Sequence, residues 1–168
     1  MSYKIYRNIF TPEICAELID MVPTLSENFT SFAGVETIRK LAPPGRSDIA
    51  FYLNQLSESE SQKYCDMIYS HIPNVRATAF RILYYPPGSC IIDHRDTWAK
   101  IDGESNSGLI IQLNDPNSYE GGYLAIEREF INLDIGDGVY YGYENLHGVS
   151  TIKKSERWIL NVRLFAEK

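Results

Sequence analysis

From Ala77 onward the chain is a series of short aromatic and β-branched runs, each closed by a turn signal, and this pattern limits it to a β-rich fold. Ala77–Tyr85 ends at Pro86-Pro87-Gly88. Leu109–Leu113, Gly122–Ile126, Phe130–Leu133, Gly138–Tyr141 and Arg157–Phe165 follow. Asn114-Asp115-Pro116-Asn117, Gly121-Gly122 and Gly136-Asp137-Gly138 stand between them. Short strands at close spacing predict a sandwich or barrel.

The first third reads differently. Thr11-Pro12-Glu13 is a helix start, with Thr11 as the cap, Pro12 at the first helical position and Glu13 at the positive end of the dipole. Ile14, Leu18, Ile19 and Val22 recur at helical spacing up to Pro23. Ser57 and Glu60 form a capping box that opens a second helix through Tyr64, Cys65, Ile68 and Ile72, ended by Pro73. Residues 24–50 read as mostly irregular, with a strand near Ile49–Leu53. The expected class is therefore mostly β with N-terminal helices (α+β), the helices packed on one outer face.

The length, 168 residues, predicts one domain over 1–168. A domain of this size buries roughly 70% of its unfolded surface, so a metal ion here is expected to serve function rather than stability. Twenty-two acidic against sixteen basic residues give a net charge of −6. That balance disfavours a nucleic-acid partner, which needs a basic face. No apolar run approaches the ~20 residues of a membrane span, and Met1–Arg7 lacks the apolar core of a signal peptide. The three cysteines, Cys15, Cys65 and Cys90, have no paired spacing and read as reduced thiols. These features predict a cytoplasmic protein without a membrane partner; they say nothing of oligomeric state.

The chain holds three histidines. His71, near the end of the second helix, reads as a capping or surface residue. His94 lies in Ile92-Asp93-His94-Arg95-Asp96. In an extended segment, His94 and Asp96 project to the same side and can share one ligand. One imidazole and one carboxylate leave a divalent metal under-coordinated. A second imidazole would complete a two-His, one-carboxylate set with open positions, the pattern of non-haem Fe(II) sites. His147 is the candidate for it. His-Arg-Asp also occurs in kinase catalytic loops, but no Gly-rich phosphate loop or Asp-Phe-Gly accompanies it.

Arg157 follows His147 by ten residues, at the start of the last strand. A buried arginine there can clamp a carboxylate bidentately. Along that strand Trp158, Leu160, Val162 and Leu164 share one face, and Arg157, Ile159, Asn161 and Arg163 share the other. The polar face meets either solvent or a polar pocket, and taken alone solvent is the simpler reading.

As an ordered set these residues resemble the 2-oxoglutarate- and iron(II)-dependent oxygenases, in particular the prolyl 4-hydroxylase-like branch. Ile9–Cys15 is similar to that family's opening helix, and Leu83-Tyr84-Tyr85-Pro86-Pro87-Gly88 to its approach to the His-x-Asp motif. Leu113-Asn114 followed by Gly121-Gly122-Tyr123-Leu124 resembles its central hairpin. His147-Gly148-Val149 and Ser155-Glu156-Arg157-Trp158 resemble its distal half. The resemblance implies a double-stranded β-helix, a jelly-roll barrel. It implies Fe(II) held by His94, Asp96 and His147, 2-oxoglutarate as cosubstrate with its distal carboxylate on Arg157, and O2 as the second cosubstrate. Tyr85 matches a tyrosine near cosubstrate or substrate; the plainer reading is a core aromatic.

The chain departs from the family at four places. Gly108 stands where Thr or Ser is frequent, Tyr123 replaces the hairpin glutamate, Ser155-Glu156 replaces the glycine before the clamp, and Arg163 replaces a tryptophan. Arg163 is read as a substrate or cosubstrate contact. Trp98, in the Thr97–Ser107 loop that follows the metal motif, is read as a substrate contact, and residues 24–50 and 97–107 as the loops that meet substrate.

The implied activity is hydroxylation of a C–H bond, with release of succinate and CO2. The substrate is a peptidyl side chain, proline by analogy, or a small amino-acid-like metabolite. Two other readings stay open at this stage: a cupin-like metal enzyme that does not use 2-oxoglutarate, and a non-catalytic barrel that binds a ligand.

Overall fold

A computed structural model describes residues 3–22, 49–52, 58–96 and 106–166. Its elements run β1 (Tyr3–Tyr6), α1 (Pro12–Asp20), β2 (Ile49–Tyr52), α2 (Glu58–His71), β3 (Val75–Tyr85), β4 (Ile91–His94), β5 (Asn106–Gln112), β6 (Glu120–Gly121), β7 (Leu124–Ile126), β8 (Glu129–Ile131), β9 (Gly138–Gly142), β10 (His147–Val149), β11 (Ile152–Lys154) and β12 (Arg157–Ala166). A six-stranded sheet has the order β1-β9-β5-β12-β3-β2, and a four-stranded sheet the order β4-β10-β7-β8. All recorded strand pairs are antiparallel. The two sheets make the jelly roll.

Two apolar clusters explain the layering. One lies between the sheets and joins Leu83, Ile110, Val139 and Ile159 of the large sheet to Ile91, Leu124, Ile126 and Val149 of the small one. The other lies between the opposite face of the large sheet and the helices. It joins Leu160, Val162 and Leu164 to Cys15, Leu18, Tyr64 and Ile68. The helices thus cover one outer face, and they cover the aliphatic face of β12. Its polar face, with Arg157 and Asn161 both buried, turns inward between the sheets rather than to solvent.

Local chemistry sets the element ends. The Thr11 hydroxyl accepts a 3.4 Å hydrogen bond from the Ile14 amide, and Pro12 opens α1 as its spacing predicts. Glu17 of α1 accepts from Lys63 at 2.7 Å and from the Tyr64 hydroxyl at 2.8 Å, joining the helices. His71 Nδ1 lies 3.0 Å from the Met67 carbonyl in the last turn of α2, which is the capping role expected of it. Ser57, half of the expected capping box, lies outside the described residues, as do most of the 24–50 and 97–107 loops.

The structure corrects some strand boundaries. The run 122–126 is not one strand. Gly121 and Gly122 have φ of +83° and +64°, left-handed values that break the ladder between β6 and β7. β1, β4, β10 and β11 were not expected, because three or four residues are too few to show alternation. The Gly136 turn is backed by Phe10, whose carbonyl oxygen stands 1.9 Å from where a Gly136 Cβ would sit. Cys15, Cys65 and Cys90 are free thiols. No helix among the described residues is long and apolar enough to cross a membrane.

Candidate metal centre

β10 and β4 pair with His147 directly opposite His94, so the imidazoles of two residues 53 apart in sequence emerge side by side, ring centroids 4.3 Å apart. Gly148 permits this approach. A Cβ there would come within 2.4 Å of Asp93 Oδ1 and 3.0 Å of the Asp93 amide nitrogen. Asp96 follows β4 and is anchored by its amide, which donates to the Tyr143 carbonyl at 2.9 Å. Its carboxylate then lies 3.6 Å from His94 Nε2 and 3.9 Å from His147 Nε2. One ligand atom from each of the three lies within 4.8 Å of the others.

The tautomers suit a metal. His94 Nδ1 is 3.0 Å from the Ile92 carbonyl, and His147 Nδ1 is 2.9 Å from the Asn145 carbonyl. A carbonyl only accepts, so in each neutral ring Nδ1 carries the proton and Nε2 keeps its lone pair facing Asp96. Burial pushes the Asp96 carboxyl upward, but the His94 contact, the charge that His147 and His94 carry in their protonated form, and the charge of Arg163 outweigh it and hold the group below the usual aspartate value. The segment before His147 is clasped from the turn that follows β7. Glu127 accepts from the Asn145 side chain at 3.1 Å and from the Leu146 amide at 2.9 Å, and Arg95 lies 3.6 Å from Glu127.

The triad opens into a cavity between the sheets that is also lined by Tyr85, Arg81 and Asn161. Tyr85 is 1% exposed, so it is both a core aromatic and a wall of this cavity. Arg157 is 2% exposed and stands with its guanidinium carbon 5.6 Å from the Tyr85 ring centre. It does not line the triad's cavity. It opens on an adjoining groove of about 510 Å³ that includes Gln112, Tyr119 and Leu133, and Leu124 borders both spaces. Its Nε donates to Gln112 Oε1 at 3.2 Å, and the Gln112 amide is oriented by donating in turn to the Asn114 carbonyl at 2.9 Å. Arg157 Nη1 is buried without a hydrogen-bond partner, and no carboxylate of a described residue pairs with this guanidinium. A buried cation in this condition suits an anionic ligand.

Arg163 is half-buried. It lines a recess with Asp96 and Tyr141, and its charge acts on the Asp96 carboxylate. Trp98 lies outside the described residues. Sequence reasoning passed over Arg81 and Tyr141. Arg81 carried a signal: it shares a strand face with Leu83 and Tyr85, a cation in an otherwise apolar series. Tyr141 packs its ring centre 4.6 Å from that of His147, and burial pushes its hydroxyl pKa up.

The fold is shared with solved prolyl hydroxylases. The viral collagen prolyl hydroxylase vCPH from Paramecium Bursaria Chlorella virus-1, solved as its 2OG complex, superposes with a TM-score of 0.68 at 16% identity, covering 99% of this chain and 97% of that one. A Pseudomonas putida prolyl-4-hydroxylase gives 0.65 at 14% identity, covering 99% and 93%. A Trichoplax adhaerens prolyl hydroxylase, in complex with a hypoxia inducible factor oxygen degradation domain peptide fragment, gives 0.66 at 16% identity, covering 99% and 83%.

In sequence the chain is similar to proteins named PKHD-type hydroxylase. The one from Methylobacterium nodulans is 42% identical over 50 residues, 27% of this chain and 22% of the relative. The one from Prochlorococcus marinus is 33% identical over 70 residues, 39% of this chain and 32% of the relative. The matched segments thus span about a third or less of those relatives' length. No family model matches the sequence.

Proposed function

We propose that this chain is a 2-oxoglutarate- and Fe(II)-dependent dioxygenase that hydroxylates a C–H bond of a peptidyl side chain or a small amino-acid-like molecule, releasing succinate and CO2. The observation that carries this reading is the triad itself: two imidazoles in the tautomer that presents Nε2, set around one carboxylate. This donor set fits Fe(II). Two imidazole nitrogens and one carboxylate would hold the ion and leave positions for cosubstrates. The orphaned Nη1 of Arg157 fits a second feature of the reading, the distal carboxylate of 2-oxoglutarate. The name PKHD-type hydroxylase of the sequence relatives points the same way.

In this reading His94, Asp96 and His147 hold the ion. Ferrous iron, 2-oxoglutarate and O2 supply the oxidising chemistry. The protein's own residues bind, orient and exclude water. The Ile92 and Asn145 carbonyls fix the two imidazoles. Arg157, steered by Gln112, anchors the cosubstrate. Tyr85, standing between that anchor and the triad's cavity, sets the cosubstrate's path. Arg163, on the Asp96 side, contacts substrate. The apolar walls from Ile91, Leu124 and Ile159 keep the cavity dry.

The test is direct. Protein reconstituted anaerobically with Fe(II), then given 2-oxoglutarate and O2, is assayed for succinate with and without candidate substrates. Metal-dependent succinate formation that His94→Ala abolishes is the expected result. No succinate under any condition, from protein shown to bind Fe(II), defeats the reading.

A further inference from the structure

Arg81 is a second inward cation on the large sheet, and the chemistry assigned above does not use it. It lies on β3 directly opposite Asn161 of β12, and its Nη2 donates to Asn161 Oδ1. The Asn161 side chain also hydrogen-bonds Tyr141, which packs on His147. Arg81 therefore belongs to the wall of the triad's cavity. Its Nε is buried and has no hydrogen-bond partner among the described residues, and no carboxylate of a described residue pairs with it. Nε is thus left to donate to an anion, while Nη2, the terminal nitrogen on the same edge, also carries the hydrogen bond to Asn161.

Arg81 and Arg157 mark separate positions. Asn161, the register partner of Arg81, is four residues along β12 from Arg157, roughly 13 Å of strand. The two guanidinium groups also border different cavities. 2-Oxoglutarate has three carbons between its carboxyl groups, too short a molecule to meet the metal triad and both arginines. If Arg157 takes the cosubstrate, Arg81 is left facing the space where substrate must sit. Arg163 in the adjoining recess adds positive charge on the same side.

We propose that Arg81, held by Asn161, is a specificity-determining residue that binds the carboxylate of the substrate, so that the substrate is a small carboxylic acid such as a free α-amino acid rather than an internal residue of a peptide. The assignment of substrate to this cavity rests on the oxygenase reading. The anion preference of the cavity does not, so the two fail separately.

The experiment is calorimetric titration with the free L-amino acids and with the primary amide of each, on metal-free and on Mn(II)-loaded protein. At least one acid is expected to bind about tenfold or more tightly than its amide, the size of one charge-assisted contact. Arg81→Gln is expected to erase that preference, Arg81→Lys to keep part of it, and 2-oxoglutarate affinity to change less than about threefold. Asn161→Asp, which sets a carboxylate against the guanidinium, is expected to reproduce the loss and serves if Arg81→Gln does not fold. Three results overturn the proposal: no acid held more tightly than its amide, a blocked prolyl peptide bound more tightly than every free acid, or 2-oxoglutarate affinity falling as much in Arg81→Gln as in Arg157→Ala. A wild-type protein that separates acid from amide yet forms no succinate with Fe(II) and 2-oxoglutarate would overturn the oxygenase reading alone.

Discussion

Gly108 and Tyr141 are register partners on β5 and β9, and the ring of the tyrosine fills the space that a side chain at 108 would need. A Cβ on Gly108 would stand 2.5 Å from Tyr141 Cζ and 2.6 Å from its hydroxyl oxygen. The glycine at 108 leaves room for the Tyr141 ring, which stands 4.6 Å from the His147 ring, centre to centre, at an interplanar angle of 51°. Gly108→Thr should force the ring away. Overpacking of this kind costs about 1–3 kcal/mol. At about 2–4 °C per kcal/mol for a chain of this size, the melting temperature should fall by several degrees. An unchanged melting curve would mean the ring has room to move.

Removing a triad member should remove the ion. Asp96→Asn and His147→Ala are expected to weaken Mn(II) binding by more than the roughly 10–100-fold typical of residues one step outside a metal's ligands. Titration followed by electron paramagnetic resonance measures this. Full Mn(II) affinity in either variant would show that the ion, if bound, is held elsewhere.

Arg157→Ala should raise the 2-oxoglutarate concentration needed for half-maximal succinate formation by about 10–150-fold, the equivalent of roughly 1.5–3 kcal/mol for one charged hydrogen bond. Arg157→Lys should recover part of the loss, since an ammonium keeps the charge without the fork. An unaltered requirement in the alanine variant would remove Arg157 from the cosubstrate site.

Asp137 predicts an acid-sensitive tie between the N-terminus and the sheet. It is 2% exposed and accepts from the Asn8 amide at 2.9 Å, from the Asp134 amide at 3.0 Å and from Arg7. Burial raises its pKa, but these hydrogen bonds and the Arg7 charge outweigh it and hold the carboxyl below the ordinary 3.8. Because the folded value is the lower one, the stabilisation is complete above the ordinary value and is lost as pH falls through the folded one. Asp137→Asn should therefore cost about 1–3 kcal/mol near neutral pH. The gap between wild type and variant should narrow in denaturant melts below about pH 4. A gap independent of pH would place the cost in packing instead.

The local part of the centre was legible because its geometry is local. His94 and Asp96 are two apart on an extended segment, so their shared side follows from strand pleat alone. Thr11-Pro12 and the turn at Pro116 likewise read directly, since each is settled by its own side chain and backbone. The pairing that sets His147 opposite His94 was not legible. β10 is three residues long, and the glycine that brings it close shows its role only once Asp93 is seen against it. Arg81 was missed for a related reason. One cation in an apolar strand faces water as readily as a cavity until the covering layer is known.

By itself the sequence determined the strand-rich class, the two helices, the alternation of β12 and the chemical types gathered in His94, Asp96, His147 and Arg157. The tertiary structure alone decided which face of β12 looks inward. Helices α1 and α2 cover Leu160, Val162 and Leu164, so Arg157 and Asn161 turn between the sheets, Asn161 into the triad's cavity and Arg157 onto the adjoining groove. Alternation is a property of one strand and is read along the chain. Which side of that strand becomes the interior depends on what packs against it from distant sequence, and no local pattern encodes that.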